Sequence, residues 1–262
     1  MSKVSAAPGA LRKIIRRLVA QAPPGGARTM DPLARLVRAF FEYDADLPRA
    51  EAAEGRILAA VADYNELRVT PVTEIATLLG VRYPFAEARC QALRRTLQAI
   101  FEREHHMSLE CLKEMKKSEV RKYLRTLTGI PGYVEAVVAL ECCGVHTLPV
   151  DTKLLLWLKH KRALPADTTI PQAQELLEKQ VRADQLLALH RAARRELEGW
   201  SPKSWPAPEK PAAAAPPPAP TAQPPAAAPP SRPAKPAAAA SKARPPHQRG
   251  AAGPRTQHRR GG

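Results

Sequence analysis

An all-α domain followed by a basic tail with no core of its own is the architecture this sequence predicts. Three observations carry that reading. Residues 30–200 place apolar side chains at helical spacing throughout, and no run alternates with period two over a useful length. After Trp200 the composition changes to Pro, Ala, Lys, Arg and Gln, with Trp205 the one apolar residue larger than Ala or Pro. With 262 residues, 44% of them apolar, the chain is long enough to bury a real core.

Residues 1–29 hold one patterned segment. Leu11, Ile14, Ile15, Leu18 and Val19 share a helical face, and Arg12, Lys13, Arg16 and Arg17 cover the other. Such a helix can lie on a membrane or dock on a domain. Pro23, Pro24 and Gly25 end it early, which favours docking as an extra helix. Further along, Thr70-Pro71 predicts a helix N-cap and first helical position. Residues 84–104 form one apolar face from Phe85, Ala88, Ala92, Leu93, Leu97, Ile100 and Phe101. Ser118 is placed to cap a helix with Val120, Tyr123, Leu124 and Leu127, and Pro171 to open another. A last stripe runs through Leu186, Leu187, His190, Ala193 and Leu197.

Charge narrows the partner. Lys and Arg number 41 against 25 Asp and Glu, a net charge of +16, and this excess implies a polyanion, most commonly nucleic acid. More than half of it lies in residues 201–262, where ten basic residues face Glu209 alone. That segment cannot bury enough apolar surface to offset ordering, so disorder is expected, with polyproline-II character at Pro216–Pro218. It suits salt-sensitive affinity for phosphate backbones or plain solubilisation. The most apolar run, Leu154–Leu158, is too short to cross a membrane. Four cysteines without disulfide or zinc spacing fit a reducing, cytoplasmic setting.

The most specific block runs from Leu124 to Lys153. An apolar helix ends at Leu127, the turn Gly129-Ile130-Pro131-Gly132 follows, and a second apolar helix begins at Tyr133. Two readings stand: a packing corner, or a hairpin whose free amides hold one DNA phosphate. This block resembles the helix-hairpin-helix/Gly-Pro-Asp superfamily of base-excision DNA glycosylases of the endonuclease III type. The likeness rests on Leu127-Thr128-Gly129-Ile130, Val137-Val138 and Val150-Asp151-Thr152, with the hairpin helices at about residues 118–143. Looser similarity reaches across roughly residues 30–195.

The resemblance implies a two-lobed helical fold. One lobe is expected from about residue 45 to the second hairpin helix, and the other from N-terminal helices together with those after Asp151. It also implies a base-flipping enzyme acting as a monomer on damaged or mismatched double-stranded DNA. In that role Gly129, Ile130 and Gly132 hold a phosphate through their amides, and Lys153, Lys159, Lys161 and Arg162 add basic contacts. Tyr133 lines the pocket, and Asp151 is the catalytic carboxylate that stabilises an oxocarbenium-like sugar or activates water. Asp151 is equally suited to cap the helix that follows it.

Four departures from the family pattern matter. Tyr133 stands where lyase members carry a nucleophilic lysine, so excision without strand cleavage is expected. Lys153 is a conceivable substitute, and its place on the helix argues against it. Pro131 removes one amide from the hairpin. No cysteine follows Cys143, so no iron–sulfur cluster and no other cofactor or metal is expected. Glu42-Tyr43-Asp44 replaces a Ser/Gln-rich DNA-contacting turn, and acidic residues facing DNA would repel it. The alternative is a non-catalytic DNA-binding protein, and a membrane-surface adaptor stands behind both. An exposed carboxylate in a cleft favours the enzyme, whereas Asp151 buried as a cap without a pocket favours the binder.

Overall fold

The computed structural model describes residues 8–22, 30–80, 82–203 and 205. The expected tail and the Pro23-Pro24-Gly25 stop lie outside them, apart from residues 201–203 and Trp205. Among the described residues every regular element is helical, and no helix is long and apolar enough to cross a membrane.

Helix α1 spans Pro8–Ala20 and α2 spans Pro32–Glu42. Asp31 starts α2, its carboxylate accepting from the Leu33 N–H at 3.0 Å, and Pro32 supplies the fixed φ of the first turn. Leu33, Leu36, Val37, Phe40 and Phe41 are all buried, so α2 is enclosed rather than one-sided. Then come α3 (Leu47–Ala60), α4 (Tyr64–Val69), α5 (Val72–Leu79) and the long α6 (Ala86–Glu104). Thr70 closes α4 rather than opening α5: its N–H and hydroxyl both donate to the Glu66 carbonyl, and Pro71 is the N-cap of α5. His105 ends α6 with φ +59°, so His105 and His106 lie beyond the helix.

Helix α7 (Lys117–Arg125) begins from Lys116, with Ser118 already inside it, and α8 spans Gly132–Cys143. Next are α9 (Thr152–His160), α10 (Ile170–Glu178) and α11 (Leu186–Glu196). Thr169 and Gln172 form a reciprocal capping box at the start of α10, and Pro171 sits in its first turn.

Two cores result. The first gathers α2 to α8 around Phe40, Leu93, Leu97, Leu124 and Val137. The second gathers α1 and α9 to α11 around Leu11, Leu158, Leu186 and Leu189, with Leu140 of α8 added. Helix α2 therefore joins the first lobe, not the second as expected, because its apolar ring is closed by α3 and α8. Leu11, Ile15 and Leu18 dock α1 against α11, and Arg17 pairs with Glu196 at 2.7 Å.

The turn between α7 and α8 demands glycine at one position. Gly129 has φ +90°, and a Cβ there would lie 2.9 Å from the Arg95 Cβ and 3.0 Å from the Ala92 carbonyl. Gly132 has nothing within 4 Å of an added Cβ. Gly129→Val should therefore cost about 3 kcal/mol or more in urea unfolding, while Gly132→Ala stays within about 0.5 kcal/mol. Equal losses at the two sites would contradict this packing.

Candidate active site and hairpin

The hairpin is built on α6. The Thr96 hydroxyl donates to the Thr128 carbonyl at 3.3 Å, and Gly129 lies against Arg95. The Ile130 amide is used inside the turn, donating to the Leu127 carbonyl at 3.3 Å, so it is not available to a phosphate as expected. Gly132 opens α8 and is exposed. Its amide and those of Tyr133 and Val134 are the first three of the helix and have no acceptor within it. They carry the positive end of the helix dipole. Glu135 would oppose an anion there, but Arg121 and Arg125 bind its carboxylate at 2.5 and 3.1 Å.

Asp151 caps α9 at the seam between the lobes. Its Oδ1 accepts from the Leu154 N–H at 2.8 Å, and its Oδ2 from the Asp44 N–H at 2.9 Å. The same Oδ2 meets Nη1 of Arg194 at 3.2 Å, and the residue is 4% exposed. Arg194, on α11, also donates to the carbonyls of Glu42 at 2.6 Å and Ala45 at 2.8 Å. Its guanidinium carbon lies 5.9 Å from the centre of the Tyr133 ring, so Arg194 links the two residues expected to be catalytic.

Tyr133 is enclosed. Its ring stands 6.2 Å from Tyr43 and 6.1 Å from His190, and its hydroxyl has no hydrogen-bond partner among the described residues. Burial pushes its pKa well above the ordinary phenol range. Burial also takes His190 down to about 4, against the pull of Glu141, so the ring is neutral at pH 7.

A cavity of about 290 Å³ opens beside this buried group, lined by Asp44, Asp46, Arg49, Arg82, Phe85, Lys153 and Trp205 among others. Asp44, Arg82 and Phe85 have φ of +56°, +62° and +52°. Three side-chain-bearing residues in the left-handed region around one cavity are a concentration of strain that ordinary packing does not need. Phe85 and Trp205 meet edge to face, with ring centres 6.0 Å apart. Neither Asp151 nor Tyr133 lines this space, but Asp44 and Lys153 do: the Asp44 N–H donates to Asp151, and the Lys153 N–H donates to the Asp44 carboxylate.

The acidic turn does not face outward as expected. Glu42 is buried on Arg35 at 2.8 Å and Arg38 at 2.9 Å, and despite burial Arg35 and Arg194 hold it below the usual carboxylate range. Tyr43 stacks 3.7 Å from the Arg89 guanidinium carbon. Asp44 accepts from the Lys153 N–H at 3.0 Å, and burial together with Asp151 raises its pKa to about 7.

Lys153 itself is 3% exposed and ion-paired through Nζ with Asp46, which removes it from the simple basic contacts expected of it. Lys159, Lys161 and Arg162 lie at the far end of α9, with Lys161 and Arg162 exposed. They are about 12–17 Å from Asp151 along the helix axis at 1.5 Å per residue. The cysteines do not suit a cluster. Cys90 is buried in α6, Cys142 and Cys143 are adjacent, and no three His, Cys, Asp or Glu among the described residues group for a metal. Sequence reasoning missed Arg194 and Arg35, whose partners include residues far along the chain, and read Asp44 as facing DNA rather than as a buried partner of Asp151.

Two outcomes follow from this geometry. Arg194→Met should destabilise the protein by about 3–5 kcal/mol in chemical unfolding, since it leaves Asp151 and two carbonyls without their cation. A loss under about 1 kcal/mol would remove the ion pair from its structural role. Asp44 keeps its proton in the folded state up to about pH 7, whereas its ordinary value is 3.8. The folded state therefore binds the extra proton between those values, and stability falls as pH rises through that window. Asp44→Asn should match the wild type near pH 4 and exceed it by about 2 kcal/mol at pH 8. Parallel stability–pH curves for the two proteins would refute this.

No protein-family model matches the sequence, and no curated protein matches it. Solved structures match by fold. A trapped endonuclease III–DNA covalent intermediate is 14% identical, with the match covering 76% of this chain and 92% of that one at a TM-score of 0.56. The 8-oxoguanine glycosylase/lyase of Clostridium acetobutylicum, in complex with double-stranded DNA, is 14% identical over 71% of this chain and 69% of its own, at 0.53. The H. pylori 3-methyladenine DNA glycosylase MagIII, bound to 1,N6-ethenoadenine, is 16% identical over 71% and 95%, at 0.51. At these identities the likeness is one of architecture: the chain has the two-lobed all-α fold of the helix-hairpin-helix DNA glycosylases.

Proposed function

We propose that this chain is a base-excision DNA-repair protein, a DNA N-glycosylase that releases a base without cutting the strand. The observation that carries the reading is the strained cavity at the lobe seam, with Asp151 directly behind its lining residue Asp44. The α8 amides from Gly132 onward hold one phosphate of duplex DNA. An extruded nucleotide enters the seam, and the Asp151 carboxylate stabilises the developing oxocarbenium or activates water. For that, Arg194 must release Asp151, so a bound nucleotide has to replace an interaction the free protein makes internally. Neither candidate for a lyase nucleophile suits the step: Tyr133 cannot form an imine, and the Lys153 amine is engaged by Asp46. The likeness in fold to endonuclease III and the 8-oxoguanine enzyme, both solved on DNA, supports duplex DNA as the partner. A monomer without an iron–sulfur cluster, associated with DNA in the cytoplasm, completes the reading.

One observation favours a second reading. Asp151 is buried, carries three contacts and lines no described cavity, which suits a protein that kept the fold and binds duplex DNA without chemistry. Single-turnover excision separates the two, using duplexes with uracil or thymine opposite guanine, or an oxidised pyrimidine. The glycosylase reading expects abasic sites that break only with alkali, and a loss of at least about 100-fold in Asp151→Asn. No excision from any duplex, with binding intact, establishes the non-catalytic reading instead.

A further inference from the structure

A second groove, unrelated to the lobe seam, lies beside the hairpin. It has a volume of about 550 Å³ and is lined by Arg68 of α4, by Gln91, Arg94, Arg95 and Gln98 along one stripe of α6, and by Thr128 of the hairpin. Positions 91, 94, 95 and 98 recur at helical spacing, so the stripe is a continuous face. Most arginines elsewhere that anchor this fold meet a carboxylate: Arg35, Arg38, Arg121, Arg125 and Arg194 all do. The three groove arginines have no carboxylate partner among the described residues. Arg68 is instead held in place by neutral groups: its guanidinium carbon is 4.2 Å from the centre of the Phe101 ring, and it donates to Gln98 at 2.6 Å and Asn65 at 2.8 Å. Arg94 donates through Nε to the Arg68 carbonyl at 3.2 Å, which leaves the rest of its fork free, and Arg95 is exposed. The one acid among the lining residues, Glu102, accepts from Gln98 at 2.8 Å.

Guanidinium groups without counter-charges, two of them held by neutral contacts, are a site for phosphate oxygens, and the two glutamines add neutral donors. The groove and the hairpin are also in direct contact. Gly129 packs on Arg95, and Thr96 of the same helix holds the Thr128 carbonyl. The groove therefore lies next to whatever the α8 amides hold. We propose that this groove is a second phosphodiester-binding site, which holds the backbone of the same duplex beyond the phosphate bound at the hairpin. It deepens the DNA-binding part of the proposed function and rests on it, without depending on whether excision occurs.

The test is fluorescence anisotropy of the full-length protein on a duplex of about 30 base pairs across a salt series, with the basic tail present in every variant. Arg94→Gln/Arg95→Gln should weaken binding about 10-fold or more near 0.15 M salt. It should also make the log–log salt slope shallower by about 1.8, the value for two lost phosphate contacts. Arg95→Gln alone, at an exposed side chain, should give about half of that slope change, which guards against a folding defect in the double variant. Lys179→Gln/Arg182→Gln removes the same charge elsewhere and should leave the slope unchanged. Wild-type affinity and slope in the groove variants would overturn the inference and leave the hairpin reading standing. So would an equal change in the Lys179/Arg182 control, which would make the effect one of general charge. Uptake of inorganic phosphate by the groove, with duplex binding unaffected by the variants, would make it a small-anion site and overturn the inference too. Absence of duplex binding by the wild type would sink the DNA reading itself.

Discussion

A helix that ends inside a protein leaves its last carbonyls in need of donors, and α2 ends at the junction of the two lobes. Arginines from both sides meet that need. Arg89 of α6 donates to the Phe40, Tyr43 and Pro84 carbonyls while fully buried, and Arg194 of α11 donates to those of Glu42 and Ala45. A guanidinium at a helix C-terminus is favoured by the dipole as well as by its five donors. Arg35 then ties the same helix to α8 through Glu141 at 2.7 Å. The position of Asp151, the backbone of Asp44 and the shape of the cavity all descend from how this corner is held.

Much of the scaffold was legible because its causes are local. Pro171 at a helix start and a glycine at the hairpin announce themselves in a few residues, and the structure uses each in that way. Thr70 misled because a threonine hydroxyl can serve either end of a helix. Here it bonds backward to Glu66 rather than forward. Ser118 misled for the related reason that a cap is a backbone position before it is a residue type.

The site was less legible because its bonds span the chain. Asp151 and Tyr133 were marked by pattern, but Arg194 belongs to no motif and meets Asp151 across 43 residues and Glu42 across 152. The acidic turn was legible as charge and not as geometry. Glu42 and Asp44 read as a barrier to DNA until Arg35, Arg38 and the Lys153 amide are seen to turn both inward. Charge in a sequence carries a sign but no direction.

The span of 152 residues between Arg194 and the carbonyl it serves has a meaning during synthesis. A ribosome adding about 5–20 residues per second makes α11 roughly 8–30 s after the end of α2. The first lobe can gather its core in that interval, with Arg89 already at the corner, while Glu42 and Ala45 remain open to water. Of the described helices α1 is made first and its partner α11 last, so the earliest helix in sequence docks latest in time. The nascent chain therefore completes its seam in a single late event, when one helix delivers both the cover for α1 and the cation for Asp151.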